Sequence, residues 1–281
     1  MTGAEDLIAR IAPHHRLLLA AALCETDPAR RAWRSWCDSV HFDDVDGPAV
    51  RLLPILSQRT DIVDANDPLR GRIQGIARKS WVTNERLLAD SIPARAALVA
   101  ARLPVLHVEA LPLAEVFGDR GRRPLHDIDF CVPRRSMRTA IRILDDLGWR
   151  PVTSGLRARW QHWPRHLVRG DGHLRLIDDV PWPGADRSAW ETSTPTESGE
   201  TLLGLHDALV HAAVRSTQPW QHPPAYWVAD IVRMSAALGY TRAGDALDDD
   251  VITRRAAAHH SSETVRAALK AADQLIGPTA I

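Results

Sequence analysis

Apolar residues recur at three- and four-residue spacing through most of the first hundred positions. Leu7, Ile8, Ile11, Leu17, Leu18 and Leu19 fall at helical intervals between about Asp6 and Leu23, interrupted near Pro13. Pro28 to Val40 reads as a second helix, with Trp33 and Trp36 three apart on one face and Asp27-Pro28 as cap and first turn. Apolar residues continue from Val50 to Leu56, and Asp67-Pro68 opens a long helix through Trp81 and Leu88. Ser91-Ile92-Pro93 predicts a break before an alanine-rich helix from Ala94 to Arg102.

The period then changes. Leu103 to Val108 is almost wholly apolar and predicts a buried strand. Leu111 to Phe117 is a short helix, Gly118 to Arg123 a charged loop, and His126 to Val132 a second strand stopped by Pro133. Arg134 to Leu147 carries Met137, Ile141, Leu144 and Leu147 along one stripe, with Gly148 placed as its C-terminal cap. Trp149 to Val152 offers a third strand. Arg165 to Arg169 and His173 to Asp179 flank Gly170-Asp171-Gly172 as a hairpin. Pro181 to Gly199 lacks any period and reads as a connector. Thr201 to Val214, Pro224 to Leu238 and most of the C-terminal stretch are helical again, with a break at Asp248-Asp249-Asp250. This order predicts an α+β fold: an N-terminal helical region (1–102), a core with a small mixed sheet (103–183), and a connector with a C-terminal helical region (184–281).

Composition narrows the partners. Of 281 residues, 45% are hydrophobic and 25% charged, as in ordinary globular proteins. Basic and acidic residues balance at 35 each, which removes the global field that nucleic-acid binding would use. Cys24, Cys37 and Cys131 are too widely spaced for a zinc site or a disulfide framework, and Cys131 reads as a small buried apolar residue. The opening MTGAEDLIAR carries acids where a secretory leader carries bases, and no apolar run is long enough to span a bilayer. The expected location is cytoplasmic.

The chemistry concentrates between Leu103 and Val132. Asp127 and Asp129 stand two apart on an extended segment, so both side chains leave one face of the sheet. Two carboxylates so placed repel each other unless a cation lies between them, and they suit a magnesium ion that also holds phosphates.

The motif Arg123-Pro124, Asp127, Ile128, Asp129, Phe130, Val132, followed by Leu147-Gly148-Trp149, resembles the bacterial nucleotidyltransferase-like family of the polymerase-beta superfamily. The resemblance runs from about Val50 to Leu238, with specific motifs between Leu103 and Trp182. It implies a nucleotidyltransferase core that moves an NMP from an NTP, with two magnesium ions, to a hydroxyl or phosphate of a small-molecule or peptide acceptor. Asp127 and Asp129 would hold the metals. A third carboxylate would come from the hairpin's second arm. The family's acid three residues before a tryptophan matches Asp179 and Trp182, with Asp178 as the rival; Pro181 replaces the family's histidine. Strand alternation lets only one of Asp178 and Asp179 face the site.

One departure cuts against activity. Members carry Lys-Gly after the first strand, and this chain has Glu109-Ala110. At ~4 Å from a triphosphate, exchanging attraction for repulsion amounts to several kcal/mol. Glu109 then has three options: to ligate a metal, to turn away, or to mark a site that has lost nucleotide chemistry. The last defines a second reading, a catalytically degenerate protein that binds a ligand or a partner protein. Arg120, Arg122 and Arg123 offer replacement charge for phosphates, Arg123 first because it alone matches a family position. His126 either tunes the metal site or simply opens the strand.

Other candidates have plainer readings. His107 packs within its strand. His206 and His211, five apart on a helix, do not share a metal. His14-His15 and His259-His260 read as surface pairs. The segment Arg157 to His166, with Trp160 and Trp163, reads as an amphipathic cover for the sheet rather than a strand of stacking platforms. Asp230 reads as a helix anchor.

Overall fold

The computed structural model describes residues 3–152, 165–178, 188–196, 199–217 and 225–277. It begins with helices α1 (Ala4–Ala9), α2 (Pro13–Leu23), α3 (Thr26–Ser39), α4 (Gly47–Leu52) and α5 (Arg70–Ala100). Pro13 starts α2, where its missing N–H is an orphan in any case. Trp33 and Trp36 stack at 5.2 Å between ring centroids, on the buried face of α3. That helix begins at Thr26 with Glu25 at the N-cap, so Asp27 sits in its first turn instead of capping it.

The break expected at Pro93 is absent: α5 runs through it for 31 residues. A proline inside a helix removes one backbone bond and crowds the preceding turn, a penalty of ~3 kcal/mol. Packing overrides it. Ile73 lies in a core shared by the N- and C-terminal helices, whereas Leu87, Ala94 and Leu98 lie in a second core under the sheet, so α5 bridges the two.

After α5 the chain enters α6 (Ala110–Phe117), β1 (Ile128–Val132), α7 (Met137–Asp146), β2 (Arg150–Pro151), β3 (Arg165–Arg169) and β4 (Gly172–Asp178). These four strands form a mixed sheet in the order β1-β4-β3-β2, with β1 parallel to β4 and the others antiparallel. Gly148 ends α7's turn at φ +85° and Gly170 makes the hairpin turn at φ +56°. Both positions favour glycine because a Cβ strains the left-handed region.

Leu103–Val108 is buried in large part but is not a regular strand. Leu106 exchanges backbone hydrogen bonds with Cys131, whereas His107 pairs its N–H with Thr201 and its carbonyl with Leu203. Pro104 lacks an N–H, so a continuous ladder cannot form there. The segment instead joins the main sheet to a small ribbon that follows a short helix α8 (Ser188–Glu191). The ribbon is β5 (Thr194–Pro195) with β6 (Thr201–Leu202). Helices α9 (Leu205–Arg215), α10 (Tyr226–Ala237), α11 (Asp250–Ala258) and α12 (Ser262–Ile276) complete the fold. They share the apolar core of α1 to α3, so the two ends of the chain pack together. The three cysteines are free, and Cys131 is fully buried.

Candidate active site

A buried asparagine shapes the way into β1. Asn84 of α5 donates to the carbonyls of Arg120 and Arg123 and accepts from the N–H of Leu125. Gly121 in the same loop lies against α5 so closely that a Cβ there would stand 2.8 Å from the Ala77 carbonyl oxygen. The loop therefore delivers Arg123, His126 and Asp127 in fixed order to the sheet edge.

Asp129 is fully buried in β1. Its Oδ2 accepts from the N–H groups of Val108 and Glu109 (3.0 Å for Glu109), and its Oδ1 from Ala110 at 2.7 Å. These are orphan donors at the start of α6, so a strand carboxylate caps a helix from across the fold. Asp127, just before β1, makes looser contacts, 3.8 Å from Arg175 Nε and 3.8 Å from His166 Nδ1. Burial, with Glu109 and Asp129 nearby, raises its pKa against the opposing pull of Arg175.

Glu109 faces inward. Its Oε2 lies 2.5 Å from Arg175 Nη2 and 3.7 Å from His211 Nε2. Its Oε1 contacts Arg215 Nη1 and stands 3.8 Å from Arg123 Nη2. Burial alone would push its pKa up, but Arg175 and Arg215 hold it well below the carboxylate range. Arg175 is the register partner of Asp129 on β4, and His211 and Arg215 stand four apart on α9, hence on one face. Glu109 thus points into the fold, where guanidinium groups oppose its charge.

The expected arginines separate. Arg123 is buried and pairs through Nε and Nη2 with both oxygens of Asp230, at 2.8 and 2.9 Å, with its guanidinium over the Tyr226 ring. Asp230 is indeed an anchor, fixing α10 to the loop before β1. Arg120 pairs with Glu85 and Arg122 donates to the Phe117 carbonyl. His126 meets Arg51 at 3.1 Å, and burial together with Arg51 and Arg123 pushes its pKa down to about 4.

Asp178 is the last residue of β4, in register with Val132. Asp179, Pro181, Trp182, Trp160 and Trp163 lie outside the described residues. His107 packs edge-on against Phe130, and His206 and His211 form no shared site. The histidine pairs are not both surface pairs as expected: His15 and His259 are buried. His14 and His15 converge on Asp46, the only three ligand-type groups that gather within 4.8 Å among the described residues.

Sequence reasoning passed over Arg51, Arg175 and Arg215. Arg175 was visible as a base set between Leu174 and Leu176, on the same strand face that Asp129 uses.

The chain belongs to the family described as "Uncharacterised nucleotidyltransferase", which it matches over residues 49–277. Membership supports a transferase that acts on nucleotides. Two solved structures are similar. The solution structure of the antibiotic-resistance factor ANT(2'')-Ia is 15% identical, covering 63% of this chain and 87% of that one, with a TM-score of 0.39. A nucleotidyltransferase-like protein from Paracoccidioides brasiliensis is 16% identical, covering 67% and 92%, with a TM-score of 0.40. No curated protein matches. No helix among the described residues is long and apolar enough to cross a membrane.

Proposed function

We propose that this chain is a magnesium-dependent nucleotidyltransferase that moves an NMP from an NTP to a hydroxyl or phosphate of a small-molecule or peptide acceptor. The observation that carries this reading is the pair Asp127 and Asp129, side by side against Arg175 in a chain of this family. The residues fit a divalent cation. Asp127 has oxygens without close partners, and Asp129 Oδ1 accepts one N–H and keeps a lone pair. Asp127 and Asp129 would hold the metal, with Asp179 or Asp178 as the third carboxylate. Bound magnesium supplies charge neutralisation of the phosphates. The chain's own residues do the positioning: Asp129 locks the start of α6, and Asp230 holds Arg123 beside the site. The third carboxylate would draw the proton from the acceptor.

One observation favours the second reading, a ligand- or partner-binding protein without catalysis. Where the family carries a lysine, Glu109 takes up two guanidinium groups.

Calorimetric titration of each NTP with magnesium separates the two, on the wild type and on Asp127→Asn. Asp127 is the cleaner choice because it caps nothing. Magnesium-dependent binding of an NTP that Asp127→Asn abolishes is the expected result. Absence of any NTP binding would remove the transferase reading.

A further inference from the structure

Three arginines and a histidine converge on one carboxylate. Arg175 comes from β4, His211 and Arg215 from α9, and Arg123 from the loop before β1; each brings a nitrogen within 4 Å of Glu109. Glu109 has only two oxygens for these donors, although Arg123 already gives Nε and Nη2 to Asp230 and Nη1 to the Pro124 carbonyl. The mismatch shows at Arg175, whose Nε is buried with no hydrogen-bond partner among the described residues. We propose that these groups form a pocket for a phosphoryl-class oxyanion, and that Glu109 is the chain's own anion, filling the pocket until a ligand displaces it. This rests on the nucleotidyl-transfer reading and deepens it by assigning the phosphate-side contacts and their gate.

Three features make Glu109 a displaceable occupant rather than a keystone. First, its side chain performs no capping at α6, because Asp129 takes those N–H groups. Glu109 can therefore swing without unravelling the helix. Second, the pocket is not sealed: the side chains of Glu109, Arg175 and Arg215 are 12%, 13% and 14% exposed. Third, a tetrahedral phosphoryl group presents three oxygens in the fork geometry that arginine matches, so it can engage donors that a carboxylate leaves idle. A lysine at position 109 would add to such a pocket, whereas a glutamate competes for it. The ligand must therefore exchange with Glu109, and affinity in the wild type is the difference between two occupants.

The probe is inorganic pyrophosphate in EDTA, titrated into wild type, Glu109→Ala and Glu109→Ala/Arg215→Gln, with circular dichroism to confirm folding. The expected result is binding at least tenfold tighter in Glu109→Ala than in wild type, with the gain lost when Arg215→Gln is added. Equal affinity in wild type and folded Glu109→Ala overturns the proposal, as does a gain that survives Arg215→Gln. Should Glu109→Ala not fold, the isosteric Glu109→Gln replaces it and both are refolded with and without pyrophosphate. Recovery only with the anion supports the pocket; failure in both conditions overturns it. The titration contains neither magnesium nor nucleoside. A negative result beside intact magnesium–NTP binding removes the gate alone, and the reverse pattern removes the transferase reading alone.

Discussion

The starts of α4 and α6 pose the same electrostatic problem and solve it differently. Asp46 and Glu109 each occupy an N-cap position, and each gathers basic side chains. Asp46 caps its own helix, accepting from the Ala49 N–H at 2.8 Å, and also receives His14 at 3.0 Å and His15 at 2.9 Å. Its side chain is 44% exposed. Glu109 caps nothing, because Asp129 reaches over from β1 to do so, and its carboxylate is given to the largely buried guanidinium groups of Arg175 and Arg215. A local cap leaves the acid committed and at the surface. A cap supplied from the sheet frees the acid at the helix start for the site. The difference also predicts very different energies, since buried charge interactions are screened little and exposed ones strongly.

The sharpest way to break the comparison is to remove the remote cap. Asp129→Ala strips the acceptor from three backbone N–H groups at a fully buried position, and the expected loss in urea unfolding is roughly 4–6 kcal/mol. A loss no larger than that of Asp46→Ala would mean that α6 does not depend on the sheet. The next effect in size concerns Arg123 and Asp230. Arg123→Ala leaves a buried carboxylate unpaired and should destabilise by about 3–5 kcal/mol. Adding Asp230→Ala should restore part of that, because the double variant buries no lone charge. Additive losses in the double-mutant cycle would show that the pair does not act as a unit.

Much of this architecture was legible in the chain. Helical spacing located α2 and α3, and the Gly170 turn located the hairpin. These are local patterns, and local patterns are what periodicity reports. The failures share one cause. Pro93 stays inside a helix because two separate cores hold the residues before and after it, and Leu103–Val108 divides its hydrogen bonds between β1 and the Thr201–Leu203 segment. Neither fact exists at the level of a ten-residue window. The site was half legible for the same reason. Glu109 stood out as a departure, but the groups that neutralise it come from residues 123, 175, 211 and 215, brought together only by the tertiary fold. The asparagine near Trp81 carried more than its helical setting suggested: Asn84 is the buried bracket for the loop into β1.

The smallest expected effect sharpens the comparison from the exposed side. Asp46→Ala removes a cap and two imidazole contacts at a part-exposed position, and should cost about 1 kcal/mol once solvent screening is allowed for. Its pH dependence has a definite sign. Burial is the largest single influence on the Asp46 pKa and raises it, but hydrogen bonds from His15, the Ala49 N–H and His14 together outweigh it and lower the pKa from the ordinary 3.8 to about 2. A carboxylate with a depressed folded-state pKa binds protons more readily when unfolded. Its stabilisation is therefore complete above the ordinary value and drains away as pH falls from about 4 to about 2. The stability gap between wild type and Asp46→Ala, read from urea midpoints, should be constant between pH 5 and 7, values ~1–3 units above the ordinary carboxylate range. It should then close through that acidic window. Burial pushes the Glu109 pKa up, but Arg175 and Arg215 outweigh it and hold the carboxyl well below its ordinary range. The stability gap between wild type and Glu109→Gln should therefore also be complete above the ordinary value and shrink as pH falls below it. A gap that widens as pH falls would mean that these cations do not hold the carboxylate charged.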